Sequence, residues 1–521
     1  MLLTNKFSQK NARQNNNDFF VKVLTLIFFS LGAIAILNHA MWRDELNVWL
    51  ITRDSLSVVE LFQNIKYEGH PSLWYLCLYI LNQFTNNPVA MQIFHLAIAT
   101  TSIYIFTEYS PFTNNQKILF SFGYFSFYEY LLISRNYAIG ILFVFLFCAC
   151  FASREKSYIL LAVILAFMAN TNAFCLFIAV ALGLTLLLDY LIESIIKQEY
   201  YIQPTNIIAS ITIFCFGAIA SLMTIIPPAD STLQGGLNQW IFHLDWHRLT
   251  QAIARIWNGY IVILIPGDSQ KLSLILFSII TFFLVAFIAT IFIRKPLILF
   301  FYLFSTLEIV VFNYIKTLGV HRHYGHHYII LIASLWLASY YSDWSQAERT
   351  EQEIKRIPSA WPVNWIKFVN KRKKVLIAII LYAQLAGGLV AFIRDLRIPY
   401  SAGRETVNYI KSQDLEKMFI VGSRDANMAP ISGYLNQKLY YPERQALGSF
   451  TLFNSQRKDV DADTVLEQVS QLIKQKNNNI LLILNYPLDK SRNDITIAAI
   501  ASFTESIIPD EKYYLYKVKA K

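Results

Sequence analysis

Three short polar clusters interrupt an otherwise apolar chain, and each carries residue types that can do chemistry. The first is Trp42-Arg43-Asp44-Glu45, followed by Glu68-Gly69-His70-Pro71. Asp44 stands directly after the first apolar run, and a carboxylate at a membrane edge is costly unless it has a task or a partner. A solvated loop acid paired with Arg43 is the plainer alternative. The second cluster is Tyr128-Glu129-Tyr130 with Ser134-Arg135-Asn136-Tyr137. An arginine there can clamp a phosphate through its planar fork, or simply snorkel to lipid headgroups. The third is Lys316 with His321-Arg322-His323-Tyr324-Gly325-His326-His327, which holds four of the nine histidines. A His-rich tract can bind metal. Neighbouring histidines on one helical turn converge poorly, and no carboxylate accompanies these. The tract reads better as a cationic, hydrogen-bonding patch for an anionic group, or as an interfacial belt with no ligand. One cluster offers carboxylates and two offer cations. Together they suit a reaction in which a base activates a nucleophile while cations hold a phosphate leaving group.

The elements that must position these clusters are membrane helices. The 521 residues are 55% hydrophobic and 15% charged, with a mean hydropathy of +0.39, whereas a soluble domain has about 25% charged residues. This excludes a purely soluble enzyme and a disordered chain. The net charge of +10 does not indicate nucleic acid, because the basic residues sit in blocks between apolar runs, where they set membrane orientation. Apolar runs lie at roughly 19–38, 88–107, 117–134, 137–152, 172–190, 205–226, 272–293, 296–314, 324–343 and 375–393, with shorter ones at roughly 71–84 and 157–169. About 11 to 13 crossings are expected. Basic residues in the leader and the dense block 345–374 place the N-terminus and that block in the cytoplasm. Trp361, Trp365, Ile366 and Phe368 make the block a candidate for a helix on the inner interface. Counting from there puts all three clusters and the C-terminal portion outside, provided that 71–84 is only partly inserted. The five cysteines lie in or beside apolar runs without metal-site spacing and read as small buried hydrophobes. No cleavable signal peptide is visible, so the first run reads as a retained helix.

Two outer loops and one soluble segment complete the plan. Residues 39–70 form a first outer loop, ordered by the capping box Ser57-Val-Val-Glu60. Residues 227–271, with Pro227-Pro228 and Trp240, Trp246 and Trp257, read as an acceptor-side loop. Residues 395–521 alternate strand and helix patterns and imply a small α/β domain. Strands are expected at 417–423, 437–441, 478–486 and 512–519, and helices at 427–436, 464–476 and 494–505. The chain divides into a membrane domain, 1–394, and an extracytoplasmic accessory domain, 395–521.

These motifs resemble those of membrane glycosyltransferases of the GT-C fold, in the bacterial branch related to the dolichyl-phosphate-mannose protein mannosyltransferases and the lipid A aminoarabinose transferase. Trp42-Arg43-Asp44-Glu45 with His70-Pro71 is similar to that group's Asp-Glu pair and His-Pro step, although Ser72 stands where a second proline is common. Ser134-Arg135-Asn136-Tyr137 resembles its Arg-x-Tyr element, and Arg322-His323 before Leu335-Trp336-Leu337 resembles a later one. The resemblance implies an inverting transfer of a sugar from a polyprenyl-phosphate carrier to a glycan, lipid or protein outside the cytoplasm. It makes Asp44 the general base and gives Glu45 a part in shaping the site. It places His70, Arg135, Arg322 and His323 against the donor phosphate or sugar. Burial at a low-dielectric boundary is expected to raise the pKa of the base. No cofactor is indicated; a divalent metal is compatible with the resemblance but not called for by the residues. A lipid-linked glycan transporter would show two related halves with broken helices, and none is visible. A polysaccharide polymerase or O-antigen ligase would carry its long outer loop late in the chain, and segment 227–271 keeps that alternative open.

Overall fold

A computed structural model of the chain describes residues 2–196, 202–233, 240–263, 270–342 and 360–521, with side chains from 18 onward except at 195–196 and 360–362. The first half runs α1 (Leu2–Asn38), α2 (Arg43–Asp54), α3 (Val58–Ile65), α4 (Leu73–Asn82), α5 (Val89–Tyr109), α6 (Asn114–Ser121), α7 (Tyr137–Cys150), α8 (Ile159–Ala169), α9 (Ala173–Leu191) and α10 (Pro204–Ile225). Then follow α11 (Trp246–Ala254), α12 (Ile256–Tyr260), α13 (Lys271–Ile291), α14 (Pro296–Ile315), α15 (His321–Leu337) and α16 (Ala360–Arg397).

Among the described residues, eight helices are long and apolar enough to cross a membrane, and the chain is an integral membrane protein. These are α1 from Asp18, α5, α7, α9, α10, α13, α14, and α16 from Val363. The remaining expected runs are shorter or interrupted. The run at 117–134 divides into α6 and a π-helical segment, Tyr124–Leu132. The runs at 157–169 and 324–343 become α8 and α15, of 11 and 17 residues. The run at 71–84 becomes the 10-residue α4. The basic block lies partly outside the described residues. From Ala360 it continues without a break into the last apolar run as α16, not as a separate interfacial helix.

Outside the bundle, the first loop is helical. Trp42 caps α2, whose Glu45 side chain reaches back to the Trp42 backbone N–H at 3.2 Å. The capping signal at Ser57 is realised: its hydroxyl accepts the Glu60 N–H at 3.1 Å and opens α3. Gly69, at φ +67°, then turns the chain into His70 in the left-handed region that glycine enters without steric penalty.

The C-terminal segment contains α17 (Gly403–Ser412), β1 (Phe419–Ser423), α18 (Ala429–Leu435), β2 (Leu439–Tyr441), β3 (Ala446–Gly448), α19 (Ala462–Lys476), β4 (Ile480–Leu484), β5 (Ile495–Phe503) and β6 (Tyr513–Ala520). The strands form one sheet in the order β3-β2-β1-β4-β6-β5. Strand β1 is parallel to β2 and β4, and β6 is antiparallel to β4 and β5. The helix expected at 494–505 is strand β5. The central alanines favour a helix, but the β-branched Ile495-Thr496-Ile497 and the open edge of β6 outweigh that local preference.

This sheet domain sits on the helical loop that follows α1. Arg404 donates to the terminal carbonyls of α1 at Leu37 (3.2 Å) and Asn38 (2.5 Å), where a cation also complements the helix dipole. Tyr434 accepts the Met41 N–H at 2.8 Å, and Asn47 accepts the Thr451 N–H at 2.9 Å.

Candidate active site

The first turn of α2, the start of α7 and the start of α15 meet at one point. Asp44 is the second residue of α2 and projects from its N-terminal end. Arg322 approaches from α15, its Nη2 3.0 Å from Asp44 Oδ2. Arg135 approaches from the turn before α7, its Nη1 3.5 Å from the same oxygen. Arg135 also donates to the Asp44 backbone carbonyl, and its Nη2 lies 3.2 Å from His70 Nε2. A guanidinium only donates, so His70 Nε2 accepts and the ring is neutral. Burial, followed by the neighbouring Arg135 charge, pushes the His70 pKa down to about 3.

Both arginines have anchors besides the Asp44 carboxylate, Arg135 through His70 and the Asp44 backbone carbonyl. Arg322 has its carbonyl fixed by the Tyr130 hydroxyl at 2.7 Å, and its guanidinium lies 5.4 Å from the Trp42 ring centre. His323 accepts the Val320 N–H on Nδ1 at 3.2 Å, which leaves Nε2–H to donate to the Tyr137 hydroxyl at 3.0 Å. The other histidines of the tract do not join them. His326 Nδ1 bonds the His323 carbonyl of its own helix, at 3.0 Å, and His327 is fully buried. Among the described residues no three His, Cys, Asp or Glu side chains converge on a metal position.

The expected rise in the Asp44 pKa is not found. Burial does favour the neutral acid, but the charges of Arg135, Arg322 and Arg43 outweigh it and hold the carboxyl below its ordinary range. Converging cations dominate over desolvation here.

Glu45 faces away from this cluster. It is fully buried and accepts from the Ser134 N–H at 2.6 Å, the Trp42 N–H at 3.2 Å and His39 Nε2 at 3.2 Å. His39 also meets Asp395 of α16 at 3.0 Å. Burial opposes charge on His39, yet Asp395 and Glu45 together raise its pKa to about 10. Glu45 thus ties the loop bearing Arg135 to the end of α1.

The motifs assign no role to three features of the site. Arg43 Nη1 lies 2.6 Å from Asp510, and its backbone N–H donates to Glu511 at 2.9 Å. The loop before β6, from the far end of the chain, therefore borders the site. Glu68 stands beside the cluster, accepting from Asn47 Nδ2 at 3.3 Å and the Tyr75 hydroxyl at 3.3 Å. Burial pushes its pKa up to about 7. Finally, an apolar cavity of about 550 Å³ opens among α11, α13 and α14, lined by residues that include Leu249, Ile253, Phe282, Leu303, Leu307 and Tyr314. Its wall of α14 ends beside Lys316, whose ammonium lies 5.6 Å from the Trp240 ring centre.

No family model matches the chain, and no curated protein matches it. Among solved structures it is similar to ArnT from Cupriavidus metallidurans bound to undecaprenyl phosphate, with a TM-score of 0.50 and 11% identity over 96% of this chain and 97% of that one. It is also similar to the apo state of that protein, with a TM-score of 0.52 and 11% identity over 97% and 98% of the two chains. The chain has the GT-C fold that its motifs imply, over nearly its whole length.

Proposed function

We propose that the protein is an inverting glycosyltransferase that moves a sugar from a polyprenyl-phosphate carrier to an acceptor outside the cytoplasm. One observation carries this reading: Arg135 and Arg322, from distant segments, converge on a single carboxylate oxygen at the edge of the bundle. Two forks aimed at one oxygen form a site for a tetrahedral anion, since Arg matches phosphate geometry through paired N–H donors. The fold and the bound lipid of the ArnT structure support a lipid-linked donor. The apolar cavity beside Lys316 gives the polyprenyl chain a path, with its phosphate delivered toward the arginines.

In this reading the acceptor oxygen attacks the anomeric carbon from the side opposite the phosphate. The bond from that carbon to the phosphate oxygen breaks, its electron pair leaves with the phosphate, and the configuration inverts. Arg135 and Arg322 neutralise the charge that develops on the leaving group. His70, neutral and bonded to Arg135, and His323, acting through Tyr137, keep the donor side aligned. Glu45 shapes the site by holding the Ser134–Arg135 turn. Asp44, the general base that the resemblance implies, takes the proton of the acceptor hydroxyl as the new bond forms.

The acceptor would enter between the first outer loop, the start of segment 227–271 and the sheet domain. These parts already touch: Tyr67 donates to Asp230 at 3.1 Å, and the Thr232 N–H donates to the Phe453 carbonyl at 2.8 Å. We assign residues 1–394 to the membrane enzyme and 395–521 to an outer domain that completes the acceptor side, with the active site facing outward at the inner membrane. The test is saturable binding of undecaprenyl phosphate to the purified protein, abolished in the Arg135→Ala/Arg322→Ala double variant. Binding that survives in the double variant would refute the phosphate site.

A further inference from the structure

Three helices that begin at the active site end together at the opposite side of the bundle. Arg135 and Arg322 stand at the starts of α7 and α15, and Phe174 at the start of α9 stacks on His323 at 4.7 Å. These helices have 14, 17 and 19 residues. At about 1.5 Å per residue, their far ends lie more than about 20 Å from the site. Those ends surround a second cavity, of about 620 Å³. The turn after α7 supplies Arg154, Glu155 and Lys156, the end of α9 and the turn after it supply Asp189 and Glu193, and the turn after α15 supplies Tyr341. None of these residues has a part in the transfer proposed above.

A buried ion pair forms the cavity wall. Arg154 Nε lies 3.3 Å from Asp189 Oδ2, with the two side chains 11% and 8% exposed. The guanidinium stands 4.4 Å from the Phe151 ring centre and 5.1 Å from that of Tyr341, and its Nη1 donates to the Phe151 carbonyl at 3.3 Å. Lys295 donates to the Ala338 and Tyr341 carbonyls, at 2.5 and 2.7 Å, and so fixes the third wall. An ion pair this buried between apolar helices is costly, and ionisable groups that line a cavity at such depth mark a candidate ligand site. The cavity continues into an apolar region. Tyr158 and Tyr190 also border a narrow cleft among α8, α9 and α10, lined by residues that include Leu165, Gly183 and Phe214. The cleft opens past Ile211, an exposed residue of α10, to the outer surface of the bundle. A simple anion in this cavity would meet three carboxylates, and a simple cation would meet two basic groups. A ligand with both charges and an apolar tail matches every wall.

We propose that this end of the bundle binds one molecule of a phospholipid with a primary-ammonium headgroup. Its phosphate lies on Arg154 and Lys156, its ammonium on Asp189 and Glu193, and one acyl chain enters the cleft among α8, α9 and α10. The lipid ties together the far ends of the helices whose starts bear Arg135 and Arg322. Under the topology proposed above it belongs to the cytoplasmic leaflet. The site itself does not depend on the glycosyltransferase reading.

The test uses the full-length protein, purified in detergent and stripped of lipid. It is mixed with dioleoyl phosphatidylethanolamine, phosphatidylcholine or phosphatidylglycerol, and bound lipid is counted by native mass spectrometry. One phosphatidylethanolamine per chain should be held about tenfold more tightly than phosphatidylcholine, which has the same charges but no N–H to donate; this is the scale of one charge-assisted hydrogen bond. Phosphatidylglycerol, which lacks the cation, should also bind more weakly. Asp189→Asn should abolish the preference. Glu193 is half-buried and Lys156 exposed, so the Lys156→Gln/Glu193→Gln double variant should fold and lose the preference even where Asp189→Asn does not fold. Excess undecaprenyl phosphate should leave the retained lipid in place, because the two sites lie at opposite ends of the bundle. Equal retention of the three lipids, tighter retention of phosphatidylglycerol, or a preference that survives in the double variant overturns the proposal. Displacement of the lipid by undecaprenyl phosphate overturns it as well.

Discussion

Replacing Asp44 by Asn should tighten the binding of undecaprenyl phosphate. Asp44 pairs with the arginines that the phosphate must use, so lipid binding breaks or shares two ion pairs. It also brings a second anion near the carboxylate. A unit-charge pair at about 4 Å is worth about 1 kcal/mol in water and about 4 kcal/mol at an effective dielectric of about 20. The Asp44 side chain is 26% exposed, with Arg135 at 8% and Arg322 at 18%, so solvent screening keeps the value toward the lower end. Relief of competition and repulsion together should yield about 1–2 kcal/mol, or about tenfold in Kd. The opposing effect is loss of preorganisation, about 0.5–1.5 kcal/mol for each side chain set free. It is small here, because Arg135 keeps the Asp44 carbonyl and His70, and Arg322 keeps Trp42 and the Tyr130 anchor. Titration of the nanodisc-embedded protein with undecaprenyl phosphate, at two ionic strengths, measures the balance. Unchanged or weaker binding in Asp44→Asn would refute the reasoning, because it would mean that Asp44 organises the arginines instead of competing for them.

Further predictions address the rest of the site. Arg135→Ala should weaken undecaprenyl phosphate binding, and Arg135→Lys should recover only part of the loss, because Lys keeps the charge but not the fork; equal affinity in both variants would make Arg135 an interfacial anchor. Glu511 is buried under Arg43, and burial raises its pKa to about 8. The folded state therefore holds a proton that the detached, solvated carboxyl would release, and docking of the sheet domain should weaken as pH rises toward and through 8. Protease protection of residues 395–521 between pH 6 and 9 should show this trend, and Glu511→Gln should flatten it. Gln475 is exposed on the outer domain, so Gln475→Cys should label with an impermeant maleimide in intact spheroplasts; labelling only after lysis would invert the proposed topology.

Much of this arrangement is legible from residue type and position alone. Asp44, Arg135 and Arg322 each stand at the end of an apolar run, where an unpaired charge is costly, and the structure brings them together with His70. The sense of the Asp44 shift is not legible, because it depends on two cations from segments that only the folded bundle makes adjacent. Glu45 shows the same limit: its type matches a catalytic acid, but its three partners, Ser134, Trp42 and His39, make it a brace. Glu68 is visible beside His70, yet its contacts with Asn47 and Tyr75 arise only in the fold. Asp510 and Glu511 lie in a polar turn like many others, and nothing local marks their contact with Arg43. In the sheet domain, β1, β2, β4 and β6 fall where short apolar and aromatic runs place them, while β5 has an alanine-rich centre whose helical preference yields to pairing with β6.

Transfer of labelled sugar is the most direct measurement of the central claim. Purified protein is supplied with undecaprenyl-phosphate sugars labelled in the sugar, together with a cell-envelope acceptor fraction, and both products are followed. The account predicts that label moves to the acceptor with inverted anomeric configuration, that undecaprenyl phosphate appears in equal amount, and that Arg135→Ala and Arg322→Ala each suppress both. Label that stays on the lipid with every donor, or transfer that proceeds undiminished without the two arginines, would contradict it.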